Sequence, residues 1–430
     1  MHTLDLTIAD ISKIEGKASC DIKVREGNVE EVKFTIAEYK RFYTQAIRGK
    51  DVVALPQLTA RICGTCSNAH LLCAIKAVEN ALKLQPTLQT ILLRKLLNFG
   101  LIIRDHGLHL YVFVLPDIFG KDSILDFDVQ NSLEHKYLDD TFAVKAAGNN
   151  LSIVVGGRSV HAPFATVGGF TRLPLHEELQ KSLAELQATR PRILDLIKLF
   201  FEKDTTLIID DLDFAAVVDS EYSFLYGNLI RSDGESVDSE KYGEYLEHVV
   251  IPYSHASGYR FDGNVYMVGA LARLNLAKQY LHPKTKESTK KYLEVFPSKN
   301  IFHNNLAQAI EILHAVDSSI DILKNLRVLP EKPLPIKRQE GTGIGVIEAP
   351  RGALYYKLEV DASGKIKTGR IVVPTGQNQI SIEGSIRKFL EKNIANIDSK
   401  EKIEYEVERI VRAYDPCMSC ASHFLKIHWK

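Results

Sequence analysis

The spacing of apolar and polar residues changes twice along this chain. Residues 18–37 alternate with a period of two around a turn at 26–28, which is typical of two paired strands. Residues 69–84 and 87–115 instead carry apolar side chains at steps of three and four, which indicates two long helices separated by Pro86. A small sheet near the N-terminus is therefore expected to lead into a helical region.

The helical pattern continues through the centre of the chain and then gives way to strands. It returns at residues 177–203 and 304–326, after which the proline-rich segment 329–335 is expected to leave the helical body as a linker. Strand patterns follow the linker at 345–347, 353–360 and 371–373, and helical patterns come after them at 380–394 and 401–414.

These patterns predict an α+β fold, with a large mainly helical body and small β-sheets from the N-terminal region and the C-terminal third. We expect a single domain over residues 1–430. Within it, 1–60 forms the N-terminal sheet region, 61–328 the helical body, and 336–423 a C-terminal region with a sheet and candidate metal ligands.

Composition and charge exclude several classes of protein. The chain has 45% hydrophobic residues, and its 54 basic residues balance its 54 acidic residues, so a globular core is expected and an electrostatic surface for nucleic acid is not. The most apolar segment, 101–119, is interrupted by charged residues, which argues against membrane insertion. Residues 1–14 do not resemble a secretory signal, so we expect a cytoplasmic protein.

The cysteines carry the candidate chemistry. Four of the six form two Cys-x-x-Cys pairs, Cys63 with Cys66 and Cys417 with Cys420, and such thiolate pairs bind zinc, iron-sulfur clusters or other thiophilic metals. A closed structural zinc site and a catalytic metal site are both consistent with the thiols alone. Cys20 and Cys73 are interpreted as small buried apolar residues.

The residues around these pairs resemble the two signature motifs of the large subunit of nickel-iron hydrogenases. The motifs are Arg61-x-Cys63-Gly64-x-Cys66-x-x-x-His70 and Asp415-Pro416-Cys417-x-x-Cys420-x-x-His423. Shorter matches occur in the same order along the chain: Ile14-Glu15-Gly16, Asp105-His106, Glu348-Ala349-Pro350-Arg351-Gly352, and Pro374-Thr375 with Asn378. Segments 260–273 and 303–314 are most similar to the alpha subunit of cytoplasmic NAD(P)-linked or sulfur-reducing hydrogenases.

The resemblance implies a metal centre held by the four paired cysteines. Cys63 and Cys417 would be terminal ligands of nickel, and Cys66 and Cys420 would bridge nickel to an iron that carries cyanide and carbon monoxide. Cys417 would also be the first proton acceptor, and Glu15 would relay protons outward.

The resemblance also implies roles for residues around the metals. Arg351 would be held over the open metal position by Asp105 and Asp415, and Thr375, next to Pro374, would hydrogen-bond an iron cyanide. From the residues alone, Arg351 is more simply a salt-bridged turn residue, and Asp105 and Glu15 are ordinary surface charges.

Two further implications concern His70 and the C-terminus. His70 would donate a hydrogen bond to a bridging sulfur, although a buried core histidine fits the same position. His423 would bind magnesium with the carbonyl of Ile371, but Thr44 stands where the family usually has a glutamate. Residues 424–430 would be removed by a maturation protease.

Electrons from H2 must leave through partners, because six cysteines cannot hold both the active site and a chain of iron-sulfur clusters. We therefore expect an iron-sulfur small subunit and further diaphorase-type subunits, with H2 and protons as substrates. The glycine-rich segment 341–345 lacks the dinucleotide-binding spacing, so NAD(P) would bind elsewhere. Two alternatives remain at this stage: a metal-free scaffold related to the quinone-site subunit of respiratory complex I, and a zinc-stapled interaction protein.

Overall fold

The computed structural model describes residues 3–203, 205–222, 224–397 and 399–422. His423 and the expected cleavage segment 424–430 lie outside the described residues.

Helices form the central body of the molecule. Their bounds are α1 (Tyr43–Ala46), α2 (Leu55–Thr59), α3 (Ser67–Leu82), α4 (Leu88–Gly107), α5 (Leu115–Ile118), α6 (Ser132–Gly156), α7 (His176–Glu202), α8 (Tyr242–Tyr245), α9 (Ala270–Ala277), α10 (Pro283–Leu293), α11 (His303–Asn325), α12 (Pro374–Asn393), α13 (Lys400–Ala413) and α14 (Met418–Ala421). Helix α4 packs between α6 and α11, and α3 packs against the C-terminal strands.

The strands form several small sheets around this body. Their bounds are β1 (Leu4–Ile8), β2 (Ala18–Arg25), β3 (Asn28–Ile36), β4 (Ala165–Thr166), β5 (Gly169–Phe170), β6 (Asp213–Val218), β7 (Asn228–Arg231), β8 (Ser236–Val237), β9 (Leu246–Val249), β10 (Gly258–Phe261), β11 (Tyr266–Met267), β12 (Gly341–Ala349), β13 (Gly352–Val360) and β14 (Ile366–Val372). The sheet orders are β1-β2-β3, β4-β5, β11-β6-β7-β8, β10-β9 and β12-β13-β14.

The N-terminal hairpin shows why the local pattern was informative. Strands β2 and β3 pair antiparallel, and Glu26 and Gly27 between them adopt positive φ angles of 52° and 84°. The apolar side of this hairpin is fully buried, including Cys20, Ile22 and Phe34. Period-two alternation gave the correct elements because one face of the hairpin lies on the core and the other does not.

Several parts of the fold were not predicted from the sequence, including β1, α9, α10 and two longer regions. Residues 213–267 contribute strands β6 to β11, and residues 132–156 form α6. Helix α6 is hard to recognise because it contacts α4 through small residues rather than an apolar stripe. A Cβ on Gly148 would overlap the backbone of Arg104, and a Cβ on Gly100 would lie 3.0 Å from the backbone nitrogen of Ser152.

Helix α4 continues beyond its last regular turn. Residues Leu108–Val114 follow it as a π-helical segment, and α5 begins directly afterwards. The wider turn changes which side chains face inward, and such segments are frequent at functional sites. It buries His109, whose exposed fraction is 1%, beside the end of α4 that carries Asp105.

The glycine-rich segment 341–345 has a packing role. It lies in strand β12, and a Cβ on Gly341, Gly343 or Gly345 would overlap backbone atoms of α3, at Ala81, Ala77 and Cys73 respectively. The three glycines therefore allow β12 to lie directly on α3, the helix that follows Cys66. Their spacing of two fits one face of a strand.

We expect Gly343→Ala to destabilise the fold by about 1–3 kcal/mol, because the added methyl group overpacks the contact between β12 and α3. The measurement is thermal unfolding of the metal-free protein. Gly384→Ala in α12 is the matched control, since an added Cβ there meets no atom within 4 Å and alanine favours a helix. Equal effects of the two substitutions would contradict the packing role.

Candidate active site

The two cysteine pairs, far apart in the sequence, meet in the core. The Sγ atoms of Cys63 and Cys417 lie 3.3 Å apart, and those of Cys66 and Cys420 lie 3.0 Å apart. All four ligand atoms lie within 4.8 Å of one another, and all four residues are buried. This is the geometry of a site in which four thiolates share one metal centre.

Local structure sets the two sulfurs of each pair at different positions. Cys63 is extended, with φ −143° and ψ 145°, after the short 3-10 helix Ala60–Ile62, whereas Cys66 lies immediately before α3. At the other end, Cys417 is extended before α14, and Cys420 lies within that helix. Each Cys-x-x-Cys pair therefore begins in extended chain and ends at a helix, which directs both sulfurs to one side.

The segment that contains Glu15 runs beside the C-terminal pair. Met418 donates a backbone hydrogen bond to the carbonyl of Glu15 at 3.0 Å, and a Cβ on Gly16 would lie only 2.8 Å from the Cβ of Met418. The Glu15 carboxylate lies 3.1 Å from the Cys417 sulfur and accepts a hydrogen bond from the Ser419 amide. Burial raises the pKa of Glu15. Glu15 is thus a half-buried neighbour of the sulfur cluster rather than an ordinary surface charge.

Arg351 lies in the two-residue turn between β12 and β13. Its guanidinium donates to Asp105 at 2.9 and 3.3 Å and to Asp415 at 2.9 Å. Arg351 is 5% exposed, and Asp105 and Asp415 are 1% and 2% exposed. Arg351 is therefore a salt-bridged turn residue, as its residue type alone suggests. Its burial and its two carboxylate partners also place it beside the sulfur cluster. Asp105 is buried and is not a surface charge.

His70 and Thr375 contact the C-terminal cysteines. The Nε2 atom of His70 lies 3.4 Å from the Cys420 sulfur, and its Nδ1 atom lies 2.8 Å from the Tyr356 hydroxyl. Burial lowers the pKa of His70 to about 4, so the ring is neutral and can donate from Nε2 while Nδ1 accepts from Tyr356. The Thr375 hydroxyl oxygen accepts a hydrogen bond from the Cys417 amide at 2.9 Å, which leaves its own proton free to be donated.

A small cavity of about 10 Å³ borders the cluster. Its wall combines sulfur, apolar and hydrogen-bonding groups: Cys66, His70, Ala349, Pro350, Arg351, Leu354, Pro374, Thr375, Cys417 and Cys420. Cys63 is not part of this wall, so the four sulfurs are not equivalent. Three of the four sulfur-bearing residues, Cys66, Cys417 and Cys420, border the cavity.

As thiolates, the four buried cysteines require a cationic partner. Hydrogen bonding from Cys417 lowers the pKa of the Cys63 thiol, whereas burial raises the pKa of Cys417 and of Cys420. Four buried thiols at this spacing cannot all ionise without a compensating positive charge. The metal-binding form is the thiolate, so the cluster fits the thiophilic cations nickel and iron.

The expected magnesium site does not fit in the same way. Ile371 lies on β14 and borders a surface cavity together with Thr44. Among the described residues that line this cavity there is no carboxylate, while Lys40, Arg48 and Arg370 are cations. Magnesium prefers carboxylate oxygens, and the expected ligand His423 lies outside the described residues.

Sequence reasoning missed a buried chain of contacts that reaches Asp415. Gln308 on α11 donates to the Asp415 carboxylate at 2.9 Å, and the Gln308 side-chain oxygen lies 2.5 Å from Nδ1 of His109. The ring nitrogen on the other side of His109 lies 2.8 Å from the Arg412 carbonyl. Polar residues at helical spacing within the apolar segment 304–326 were the signal that could have revealed it.

Comparison with known proteins agrees with this geometry. The family model described as nickel-dependent hydrogenase matches residues 41–140 and 203–423. The chain belongs to this family. It is therefore a hydrogenase, an oxidoreductase, and the interpretation drawn from its cysteine motifs is confirmed.

Curated relatives match the hydrogenase over its whole length. Sulfhydrogenase 1 subunit alpha of Pyrococcus furiosus is 34% identical, over 99% of this chain and 99% of that protein. Sulfhydrogenase 2 subunit alpha of the same organism is 30% identical, over 98% of this chain and 100% of the relative. Both relatives are named as alpha subunits.

Solved structures confirm the predicted fold class. An NAD+-reducing NiFe-hydrogenase in the H2-reduced state gives a TM-score of 0.87 at 22% identity, covering 98% of this chain and 100% of that one. The Ni-Fe-Se hydrogenase from D. vulgaris Hildenborough in the reduced state gives 0.80 at 20% identity, with coverage of 98% and 100%. In the described part of the hydrogenase, no helix is both long and apolar enough to cross a membrane.

Proposed function

We propose that this chain is the subunit that cleaves H2 heterolytically and reversibly at a nickel-iron centre. The observation that carries the proposal is the convergence of four cysteine sulfurs within 4.8 Å of one another. When bound, the centre, whose iron carries cyanide and carbon monoxide, supplies the Lewis-acid and redox chemistry that yields protons and electrons from H2.

The four cysteines would divide between the two metals. Cys63 and Cys417 would be terminal ligands of nickel, and Cys66 and Cys420 would be shared with iron. The cavity borders Cys66, Cys417 and Cys420 but not Cys63, so the division between terminal and shared sulfurs rests on the family motifs. Thr375 would donate its hydroxyl proton to a cyanide in this cavity, and Pro374 would keep that wall apolar. His70 would donate to the shared sulfur of Cys420.

The proton would leave through Cys417 and Glu15. A metal-bound thiolate retains some basicity, and the Glu15 carboxylate is the acceptor 3.1 Å from the Cys417 sulfur. The Ser419 amide fixes the same carboxylate oxygen, which keeps the acceptor aimed at the sulfur. The step moves one proton from Sγ of Cys417 to Oε2 of Glu15 and then outward.

Arg351 would hold a fixed positive charge at the wall of the cavity. Two buried carboxylates, Asp105 and Asp415, orient its guanidinium and balance its charge. A planar guanidinium can bond both carboxylates at the same time and still direct one edge toward the cavity. The single ammonium group of a lysine cannot do both.

Electrons would leave to an iron-sulfur small subunit and on through diaphorase-type subunits to NAD(P) or a sulfur acceptor. This part rests on the cysteine arithmetic, since four of six thiols form the cluster. Cys73 donates to the carbonyls of Gly345 and Leu354, and Cys20 is buried in β2, so neither joins a second group of ligands. Six free thiols are also consistent with a cytoplasmic protein.

The test is elemental analysis of the anaerobically purified holoenzyme, combined with infrared spectroscopy and H2-dependent dye reduction. We expect one nickel for each copy of this chain, iron in excess of nickel because the iron-sulfur partner also contributes iron, infrared bands of cyanide and carbon monoxide, and dye reduction that requires H2. Because the four thiols would also fit zinc, a preparation that contains zinc alone and reduces no dye would overturn the proposal.

A further inference from the structure

A second buried arginine, Arg273, contacts the turn that carries Arg351. Arg273, on α9, is 2% exposed and is surrounded by acceptors. A guanidinium has five N–H donors, and each one of Arg273 has an acceptor. The acceptors are the two Glu311 oxygens at 2.6 and 2.7 Å, Glu348 Oε2 at 2.7 Å, and the carbonyls of Ala349 at 3.1 Å and Pro350 at 2.8 Å.

Two of these acceptors belong to the turn that carries Arg351. Ala349 and Pro350 directly precede Arg351, and Ala349 pairs with Gly352 across the turn between β12 and β13. The turn also rests on the chain that leads into α9, because a Cβ on Gly352 would overlap Val268. Arg273 therefore fixes the backbone on one side of Arg351 through two charge-assisted hydrogen bonds.

Glu311 connects this anchor to the carboxylate that orients Arg351. Besides holding Arg273, its Oε2 atom lies 2.8 Å from Nε2 of His106, the residue after Asp105 on α4. Asp105 in turn accepts from the Arg351 guanidinium. The backbone of Arg351 and its carboxylate partner are thus tied to the same buried side chain.

We propose that Arg273, held by Glu311, is a positioning residue that sets where the Arg351 guanidinium stands at the metal cavity. A lysine at this position has three donors on one nitrogen, so it cannot bond both Glu311 oxygens and two consecutive carbonyls together. Loss of those carbonyl contacts frees the turn while leaving Arg351 itself in the chain. The inference rests on the proposed function, in which Arg351 acts at the active site.

The experiment compares Arg273→Lys with the wild-type holoenzyme. We expect kcat for H2-dependent dye reduction to fall by about 10- to 100-fold, as for other groups that support an active-site residue, with KM for the dye unchanged. Nickel and iron content should stay at the wild-type level, and the infrared bands of cyanide and carbon monoxide should shift because the cation at the cavity wall has moved.

A double-mutant cycle with Arg351→Lys separates positioning from a general structural effect. If Arg273 acts through Arg351, then Arg273→Lys has little further effect once Arg351 has been replaced. Independent losses that multiply in the double variant would overturn the proposal. Unchanged kcat in Arg273→Lys would overturn it as well.

Arg190→Lys is the matched control. Arg190 donates to both oxygens of Asp317 on the same helix α11, at 2.7 and 3.2 Å, but this pair contacts none of the cluster residues. We expect a comparable fall in the thermal midpoint and kcat within about 2-fold of wild type. A loss of kcat equal to that of Arg273→Lys would show a general effect of buried ion pairs and would overturn the proposal.

Tyr222→Phe keeps the proposal testable if Arg273→Lys does not fold. It removes only the hydroxyl that donates to Glu311 at 2.5 Å. We expect a smaller fall in kcat that also disappears in the Arg351→Lys background, and an additive effect would count against the proposal. Failure of the proposed function is distinguishable, because it would appear in the wild type as absent nickel or absent dye reduction.

Discussion

Cys417→Ser should reduce H2-dependent dye reduction to the background of the assay. Serine has nearly the shape of cysteine, but its hydroxyl stays protonated and is a poor ligand for a thiophilic metal. The substitution also removes the sulfur that lies 3.1 Å from Glu15 and 3.3 Å from Cys63. It therefore affects both metal binding and the first proton transfer. The measurements are dye reduction under H2 and nickel content of the purified protein.

Cys73→Ser is the control for that experiment. Cys73 is also completely buried, but its thiol donates to backbone carbonyls rather than facing the cluster. Serine can make the same kind of hydrogen bond, so activity and nickel content should be retained. A Cys417→Ser enzyme that binds nickel and turns over like wild type would exclude Cys417 as a ligand.

Glu15→Gln should lower the rate of H2-dependent dye reduction by about 100- to 10,000-fold, the range expected when a positioned proton acceptor is lost. Glutamine keeps the shape of the side chain and can still accept from the Ser419 amide. What it lacks is a carboxylate that can take a proton from Cys417. The cluster itself should remain, so nickel, iron and the infrared bands should match the wild type.

Isotope exchange distinguishes proton transfer from damage to the centre. With deuterium gas in ordinary water, the wild type should release HD, whereas Glu15→Gln should not, because protons no longer pass between Cys417 and solvent. Glu15→Asp restores a carboxylate, but its shorter side chain leaves a longer distance to the Cys417 sulfur. We therefore expect it to recover part of the exchange. If Glu15→Gln exchanges hydrogen isotopes at the wild-type rate, protons leave by another group.

Much of the helical body and both terminal sheets could be predicted because each shows its own periodicity. Helix α7 buries one face, α11 and the second half of α4 are buried almost all round, and the hairpin of β2 and β3 alternates cleanly. The strands between 213 and 267 were missed because they are short and because not all of them pair with the next strand along the chain. Strand β11, for example, pairs in parallel with β6. Such pairings leave little trace in local sequence.

The residues of the candidate site also divide into those that could be predicted from the sequence and those that could not. Glu15, Arg351, Asp105, Asp415 and the four cysteines were expected from motif resemblance, and the structure brings them together. Their roles remain the proposals made above. Arg273 and Gln308 were not expected, because a lone arginine or glutamine in an apolar helix carries no motif. The role of such a residue becomes visible only when its buried hydrogen-bond partners are known.

The sequence by itself determined the candidate ligands, since two Cys-x-x-Cys pairs fix which sulfurs lie within one turn of each other and their flanks identify the family. It also determined that this chain lacks cysteines for further clusters. The tertiary structure alone decided that the pairs meet although 354 residues separate Cys63 from Cys417, and that Arg273 lies behind Arg351. The physical reason is that motif spacing is set by the local backbone, whereas contacts between remote segments depend on the packing of the whole core.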